Sequence, residues 1–126
     1  MKILLVEDDE ALADVIARNL RARGHQVSAE ETAEAALIRM TEGWPDVLVL
    51  DVNLPDLTGW DILRRLSPID RGRVRVVVIS AAPISQKRID EFKPDHTLQK
   101  PFPIDALVRA IIGVAPSRAP EAEGEI

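Results

Sequence analysis

The sequence predicts an α/β domain that is built on a doubly wound parallel sheet. Five short aliphatic runs that do not alternate with polar residues indicate strands covered on both faces. Segments with apolar residues at helical spacing separate these runs, so that strand and helix alternate along the chain. The chain has 126 residues, of which 46% are hydrophobic, and this is enough to form the core of one such domain.

The predicted strands occur at intervals along the chain and differ in strength. The third is the central and most apolar strand, whereas the second is weaker and the fifth is short. Short apolar runs bounded by Gly, Pro or polar residues are typical of buried strands. The five predicted strands cover residues 3–6, 26–29, 47–50, 74–79 and 97–99.

Five helices are predicted from apolar residues that recur three or four positions apart. Glycine marks the end of the first, second and fifth of them, where it favours termination. The fourth is the weakest, because Pro83 and Pro94 leave room for only about two turns. The five predicted helices cover residues 12–23, 33–42, 59–66, 85–92 and 104–112.

The composition excludes several classes of function. Sixteen basic and twenty-one acidic residues give a formal net charge of −5, which disfavours binding to nucleic acid or to acidic membranes. The absence of cysteine excludes disulfides, thiol nucleophiles and cysteine-ligated metal sites. No apolar run approaches the ~20 residues of a membrane span. We therefore expect a cytoplasmic domain without direct nucleic-acid contact and without membrane contact.

One domain over residues 1–114 accounts for all of the predicted strands and helices. Residues 115–126 are rich in Pro, Ala, Ser, Glu and Gly and show no periodicity. Such a composition predicts either a disordered tail or the start of a linker, and the sequence does not decide between the two.

Polar side chains follow four of the five predicted strands, at the point where each strand ends. In an open parallel sheet, ligands bind beyond the carboxyl ends of the strands, where the strand order reverses. We therefore expect these residues to converge on one edge of the sheet. The polar residues are Glu7, Asp8 and Asp9, then Asp51 and Asn53, then Ser80, and finally Lys100. Ala81 and Pro101 directly follow the last two.

The side chains at this edge have the chemistry of phosphoryl transfer. Several carboxylates at one place repel one another unless a cation is bound, and hard oxygen ligands beside a phosphate suit Mg²⁺. A lysine and a small hydroxyl can hold phosphoryl oxygens. Transfer of a phosphoryl group onto a carboxylate is therefore the favoured reaction class, with Asp51 as the acceptor because it ends the central strand.

Each of these residues also has an ordinary structural interpretation. Asp9 or Glu10 suits the N-cap of the first predicted helix. Ser80 alone is consistent with a satisfied loop hydroxyl, and Lys100 alone with a solvated surface lysine. It is their combination at successive strand ends that favours the functional interpretation. Trp60 follows the Asp51 loop and could report on the site by fluorescence.

The chain resembles the receiver domain of two-component response regulators over roughly residues 2–114. Four motifs match in order, and the combination is far more specific than any one of them. The resemblance implies a flavodoxin-like fold with strand order 2-1-3-4-5. The motifs are ILLVEDD at 3–9, VLDVNLPDLTG at 49–59, VVVISA at 76–81 and KPF at 100–102.

The resemblance implies a phosphoacceptor and a metal site. Asp51 would accept phosphate from the phosphohistidine of a sensor histidine kinase or a phosphotransfer protein. Glu7 and Asp8 would bind Mg²⁺ with Asp51, and Asp8 would be the more direct ligand of the acidic pair. Asn53 would contribute its backbone carbonyl to the metal.

The resemblance also implies a phosphate-binding and switch group, through which the domain would signal to a downstream protein or output domain. Ser80 takes the place of the switch hydroxyl, next to Ala81, and Lys100 that of the phosphate-binding lysine. Pro101 matches the position where a cis Lys–Pro bond is usual. Thr97 occupies the place where the family commonly has an aromatic residue, and Asp9 is a further auxiliary candidate.

The departures from the family pattern leave an alternative open. Thr97 and the short fourth helix suggest that phosphorylation signals weakly or by an altered route. They also favour, modestly, a receiver-like interaction module that works without phosphate. An aspartate-nucleophile phosphatase fits less well, because that family has a D-x-D pattern near its first strand, whereas Asp51 follows the third.

Overall fold

The computed structural model of the chain describes residues 1–114. Five parallel strands form one sheet in the order β2-β1-β3-β4-β5, which confirms the predicted fold class and strand order. The elements in chain order are β1 (Lys2–Val6), α1 (Glu10–Ala22), β2 (Gln26–Glu30), α2 (Ala33–Glu42), β3 (Val47–Asp51), α3 (Gly59–Arg64), α4 (Pro68–Arg71), β4 (Arg75–Ser80), α5 (Gln86–Phe92), β5 (His96–Gln99) and α6 (Ile104–Val114).

The core consists of two layers, one on each face of the sheet. Successive side chains of a strand point to opposite faces, so Leu48 and Leu50 pack with α2 and α3 while Val47 and Val49 pack with α1 and α6. All five residues of β3 are buried. This burial on both faces is the reason why its sequence shows no polar alternation.

Caps account for the ends of the helices. The Asp9 side chain accepts a hydrogen bond from the Leu12 amide at 3.1 Å, so Asp9 is the N-cap of α1. Gly24, with φ of +90°, follows the same helix in a conformation that favours glycine. The weak fourth helix predicted near 85–92 is α5, which has seven residues and begins after the N-cap Ser85.

The prediction of five helices is wrong, because the described residues contain six. The additional helix, α4, has four residues and buries none of them, so it leaves no apolar periodicity in the sequence. Its local signals are the N-cap Ser67 and a proline at the first helical position. The last helix also runs to Val114, through Gly113, instead of ending at residue 112.

Two further predictions concern residues 115–126 and membrane contact. The predicted tail or linker lies outside the described residues. Within residues 1–114, the helices are all too short or too polar to cross a bilayer.

Candidate functional site

Strand register brings the predicted site residues to one edge of the sheet. Val6 at the end of β1 pairs with Leu50 of β3, and Asp51 pairs with Ile79 of β4. Ser80 in turn pairs with Gln99 of β5. The residues that end or follow these strands therefore lie at the same level, which is why carboxylates, a hydroxyl and a lysine meet although they are far apart in sequence.

Lys100 forms ion pairs with two buried carboxylates. Its Nζ lies 2.8 Å from Glu7 Oε1 and 3.1 Å from Asp51 Oδ2. Glu7 is 1% exposed and Asp51 is 3% exposed. The backbone amide of Lys100 donates to the Ser80 carbonyl at 2.8 Å, and the peptide bond to Pro101 is cis, as the resemblance implies. Lys100 directly follows β5, so its backbone is fixed at the edge of the sheet and its ammonium lies at the centre of the site.

The two carboxylates that contact Lys100 form an acidic cluster with a third, that of Asp8. Glu7, Asp8 and Asp51 each offer an oxygen, and these oxygens lie within 4.8 Å of one another. Glu7 Oε2 accepts a hydrogen bond from the Asp9 amide at 3.1 Å. Glu7 Oε1 is buried and has the ion pair with Lys100, but no hydrogen bond of good geometry from residues 1–114. A buried oxygen with spare capacity beside two further carboxylates is a donor set that fits a hard divalent cation.

Burial and the neighbouring charges shift two pKa values in the site. Burial raises the pKa of Glu7 to about 7; Lys100 opposes this increase and Asp51 adds to it. Burial favours a lower pKa for Lys100, but its close contacts with the carboxylates of Glu7 and Asp51 outweigh burial and leave that pKa raised. Lys100 therefore stays charged, whereas the charge on Glu7 depends on whether a further cation is near.

The loop after Asp51, residues 52–58, is called the acceptor loop here. The backbone N–H of Asn53 donates a hydrogen bond to Asp51 Oδ1 at 3.2 Å. The backbone of Asn53 also forms an antiparallel bridge with that of Thr58. Gly59 closes the loop, because its amide donates to the Val52 carbonyl at 2.8 Å. A Cβ at Gly59 would lie 2.5 Å from the Asp51 carbonyl oxygen, so a glycine is required at this close approach.

The match to a family model agrees with this geometry. The model of the response regulator receiver domain matches residues 3–112. The chain belongs to this receiver family. Receiver domains are signalling modules of two-component systems, so the expected family is confirmed.

Known relatives and structures extend the comparison. The transcriptional regulatory protein PrrA of Mycobacterium leprae is 35% identical over 112 residues, which cover 87% of this chain and 48% of PrrA. The chain spans about half the length of the curated relatives it matches. Chemotaxis response regulator CheY4 of Vibrio cholerae has a TM-score of 0.82 at 20% identity, covering 90% of this chain and 97% of CheY4. Response regulator TrrA of Thermotoga maritima, solved with Mg²⁺-BeF, has a TM-score of 0.79 at 21% identity. The match covers 90% of this chain and 99% of TrrA.

The candidate switch residues Ser80 and Thr97 lie near the site, but within residues 1–114 their side chains form no hydrogen bond to Asp51. The Ser80 hydroxyl donates to the Ala82 carbonyl at 2.7 Å and accepts from the Ala82 amide at 3.2 Å. Ala81 is exposed beside it. Thr97 is half-buried on β5, opposite Val78 and three positions before Lys100. In this structure, Ser80 therefore has the loop contacts of its ordinary structural interpretation.

An aromatic pair lies beside the site, and only half of it was expected. The Trp60 ring is buried and stacks on Phe92 at the end of α5, with ring centroids 4.9 Å apart and planes 18° apart. Trp60 also borders a cavity of about 230 Å³, together with Asn53, Ser80 and Arg88. The sequence indicated Trp60 as a reporter, whereas Phe92 was only the last residue of the weak helix predicted over 85–92. Their contact joins two distant segments, so no local pattern indicates it.

Proposed function

We propose that Asp51 accepts a phosphoryl group, with Mg²⁺, from the phosphohistidine of a sensor histidine kinase or a phosphotransfer protein. The modified receiver then switches a protein-interaction surface for a downstream protein or output domain. The observation that supports this most directly is the position of Lys100 Nζ between Asp51 Oδ2 and Glu7 Oε1. A cation fixed next to the acceptor oxygen can neutralise an incoming phosphoryl group.

The proposed reaction requires little beyond positioning and charge. A carboxylate oxygen of Asp51 forms a bond to phosphorus as the P–N bond of the phosphohistidine breaks, and the electron pair leaves with the imidazole nitrogen. In the dephosphorylation step, which ends the signal, water attacks phosphorus, the bond to Asp51 breaks and inorganic phosphate leaves. The ammonium of Lys100 holds a phosphoryl oxygen in both steps.

The acidic cluster is the proposed magnesium site. The three carboxylates of Glu7, Asp8 and Asp51, when ionised, exceed the one ammonium of Lys100 by two charges, which one divalent cation would balance. Asn53 would add its carbonyl oxygen. Bound Mg²⁺ supplies charge neutralisation at the phosphoryl oxygens. The relative TrrA, whose structure holds Mg²⁺-BeF, supports the assignment by analogy.

Ser80 is the proposed switch hydroxyl. To hold a phosphoryl oxygen, the Ser80 hydroxyl must redirect the hydrogen bond that it now donates to the Ala82 carbonyl towards the modified Asp51. This change would move the loop that begins at Ala81 and leads to α5. The interaction surface would therefore change on the side of the sheet where α3 and α5 lie.

The test is labelling of the protein by acetyl phosphate, followed by intact mass spectrometry. Wild type should gain one phosphoryl group with Mg²⁺ and none with EDTA, and Asp51→Asn should gain none. Asp46→Asn is the matched control, since Asp46 lies just before the other end of β3 and accepts from the Lys2 amide there. Labelling that persists in Asp51→Asn would show that the acceptor is a different residue.

The phosphate-independent interaction module makes the opposite prediction in the same assay. It rests on Thr97 and on the seven-residue α5. If wild type shows neither labelling nor Mg²⁺ binding, this alternative replaces the proposal.

The extent, partners and location of the domain are also proposals. We propose a receiver at 1–114 that works in the cytoplasm and leaves nucleic-acid contact to an output partner or domain. The relatives named as transcriptional regulatory proteins are about twice as long as the matched chain, so their regulatory activity is not assigned to this domain.

A further inference from the structure

A carboxylate of the acceptor loop is bound to the start of another helix. Asp56 Oδ1 accepts from the Ala33 amide at 2.9 Å, and Asp56 Oδ2 accepts from the Glu34 amide at 3.0 Å. Both amides belong to the first turn of α2, where an acidic group is favoured by the helix dipole. The contact joins segments that are 22 and 23 residues apart in sequence.

Helix α2 already has a local cap. The Thr32 side chain accepts from the Ala35 amide at 3.1 Å, which is the usual N-cap interaction. Asp56 satisfies different amides and comes from a different segment. It therefore does something that Thr32 does not, because it fixes the acceptor loop relative to α2.

The remaining contacts of the loop constrain its base more than its tip. The Asn53–Thr58 bridge and the Gly59 amide hold the two ends together. Leu54 and Leu57 pack against the core, and such apolar contacts have little directionality. The two hydrogen bonds of Asp56 are the directional constraint at the tip, and only Leu54 and the stiff Pro55 separate Asp56 from Asn53.

We infer that Asp56 is a positioning residue that holds Asn53 in place for the acceptor site. This inference rests on the proposed function. Asn53 donates its amide to Asp51 Oδ1, and its carbonyl is the proposed backbone ligand, so a shift of the loop alters the acceptor and the metal site together. Hydrogen bonds from the backbone, led by the Ala33 amide, lower the pKa of Asp56, which keeps the carboxylate ionised near neutral pH.

The test compares two variants that each remove a cap from the same helix. Asp56→Ala removes the tether, and Thr32→Ala removes the local cap and leaves the tether. Mg²⁺ binding is followed by Trp60 fluorescence in a Trp44→Phe background, and amide hydrogen exchange is followed at Asn53. Both variants should lower the thermal midpoint. Only Asp56→Ala should weaken Mg²⁺ binding, by about tenfold, the low end of the loss expected for an outer partner of a metal ligand.

Asp56→Asn provides a graded variant, because its single carboxamide oxygen can accept from one of the two amides. Its Mg²⁺ affinity should fall between wild type and Asp56→Ala. Equal affinities in Asp56→Ala and Thr32→Ala, with equal exchange at Asn53, would overturn the inference.

Failure of the proposed function would look different. If wild type neither binds Mg²⁺ nor is labelled by acetyl phosphate, the proposed function is wrong. The positioning of Asn53 is then decided by hydrogen exchange alone: faster exchange in Asp56→Ala than in Thr32→Ala supports it, and equal exchange refutes it.

Discussion

A substitution at Gly59 tests whether close packing against β3 fixes the position of Asp51. It begins α3 and lies against the last residue of β3. In Gly59→Ala, the new Cβ would lie 2.5 Å from the Asp51 carbonyl oxygen and 3.0 Å from Leu50 Cγ. The closer of these atoms is backbone, and β3 is buried along its whole length, so neither the helix nor the strand can move freely. The substitution should therefore displace the acceptor as well as strain the core.

The expected size of the effect follows from two opposing contributions. Overpacking a well-packed region costs about 1–3 kcal/mol. Alanine in place of glycine inside a helix raises the free energy of unfolding by about 0.5–1 kcal/mol. With the middle of each range, the free energy of unfolding should fall by about 1 kcal/mol, which for a domain of this size lowers the thermal midpoint by about 3–6 °C. Urea unfolding measures the first quantity, and the rate of labelling by acetyl phosphate reports the displacement of Asp51.

Gly113→Ala is the matched control, because it makes the same chemical change in α6. Among residues 1–114, no atom lies within 4 Å of a Cβ added at Gly113, so the helix-forming preference of alanine is the effect expected there. That variant should be more stable than wild type by up to about 1 kcal/mol and should be labelled at the wild-type rate. If Gly59→Ala were as stable as wild type and labelled as fast, the close approach would not constrain the acceptor.

Three further predictions concern charge and aromatic packing. Lys100→Met should slow labelling of Asp51 by about 100-fold, because no ammonium then holds the phosphoryl oxygens, and an unchanged rate in acetyl phosphate would contradict this role. Burial raises the pKa of Glu7 from 4.5 to about 7, so the stability associated with protonated Glu7 is present below pH 4.5 and lost as pH rises through about 7. Urea unfolding with EDTA should therefore show wild type losing stability relative to Glu7→Gln over that interval, and a pH-independent difference would refute the shift. Phe92→Leu should lower the unfolding free energy by about 0.5–1.5 kcal/mol through loss of the stack on Trp60 and should change its emission; an unaltered spectrum would count against the contact.

The fold and the residues of the candidate site could be predicted because their signals are local in sequence. Asp51 and Lys100 each follow a short apolar run, and parallel pairing alone then places them at one edge. The ion pair between Glu7 and Lys100 follows from the same strand register. Their roles in phosphoryl transfer stay predictions until labelling is measured.

Other features could not be predicted because they depend on contacts between distant segments. The tether from Asp56 to Ala33 spans 23 residues and has no periodic pattern. Helix α4 buries no side chain, so hydrophobic spacing cannot reveal it. The orientation of the Ser80 hydroxyl is a choice between nearby acceptors, which only the folded loop decides.

The same distinction separates the chemistry of this receiver from its readout. The acceptor edge depends on strand register, which a substitution in α5 changes little. The position of α5 depends instead on tertiary packing: Phe92 stacks on Trp60, and the Arg64 guanidinium lies 5.0 Å from the centre of the Phe92 ring. Thr97, on the neighbouring strand, has no ring to contribute. Substitutions in the Phe92 contacts should therefore alter what a partner recognises while the acceptor edge keeps its geometry.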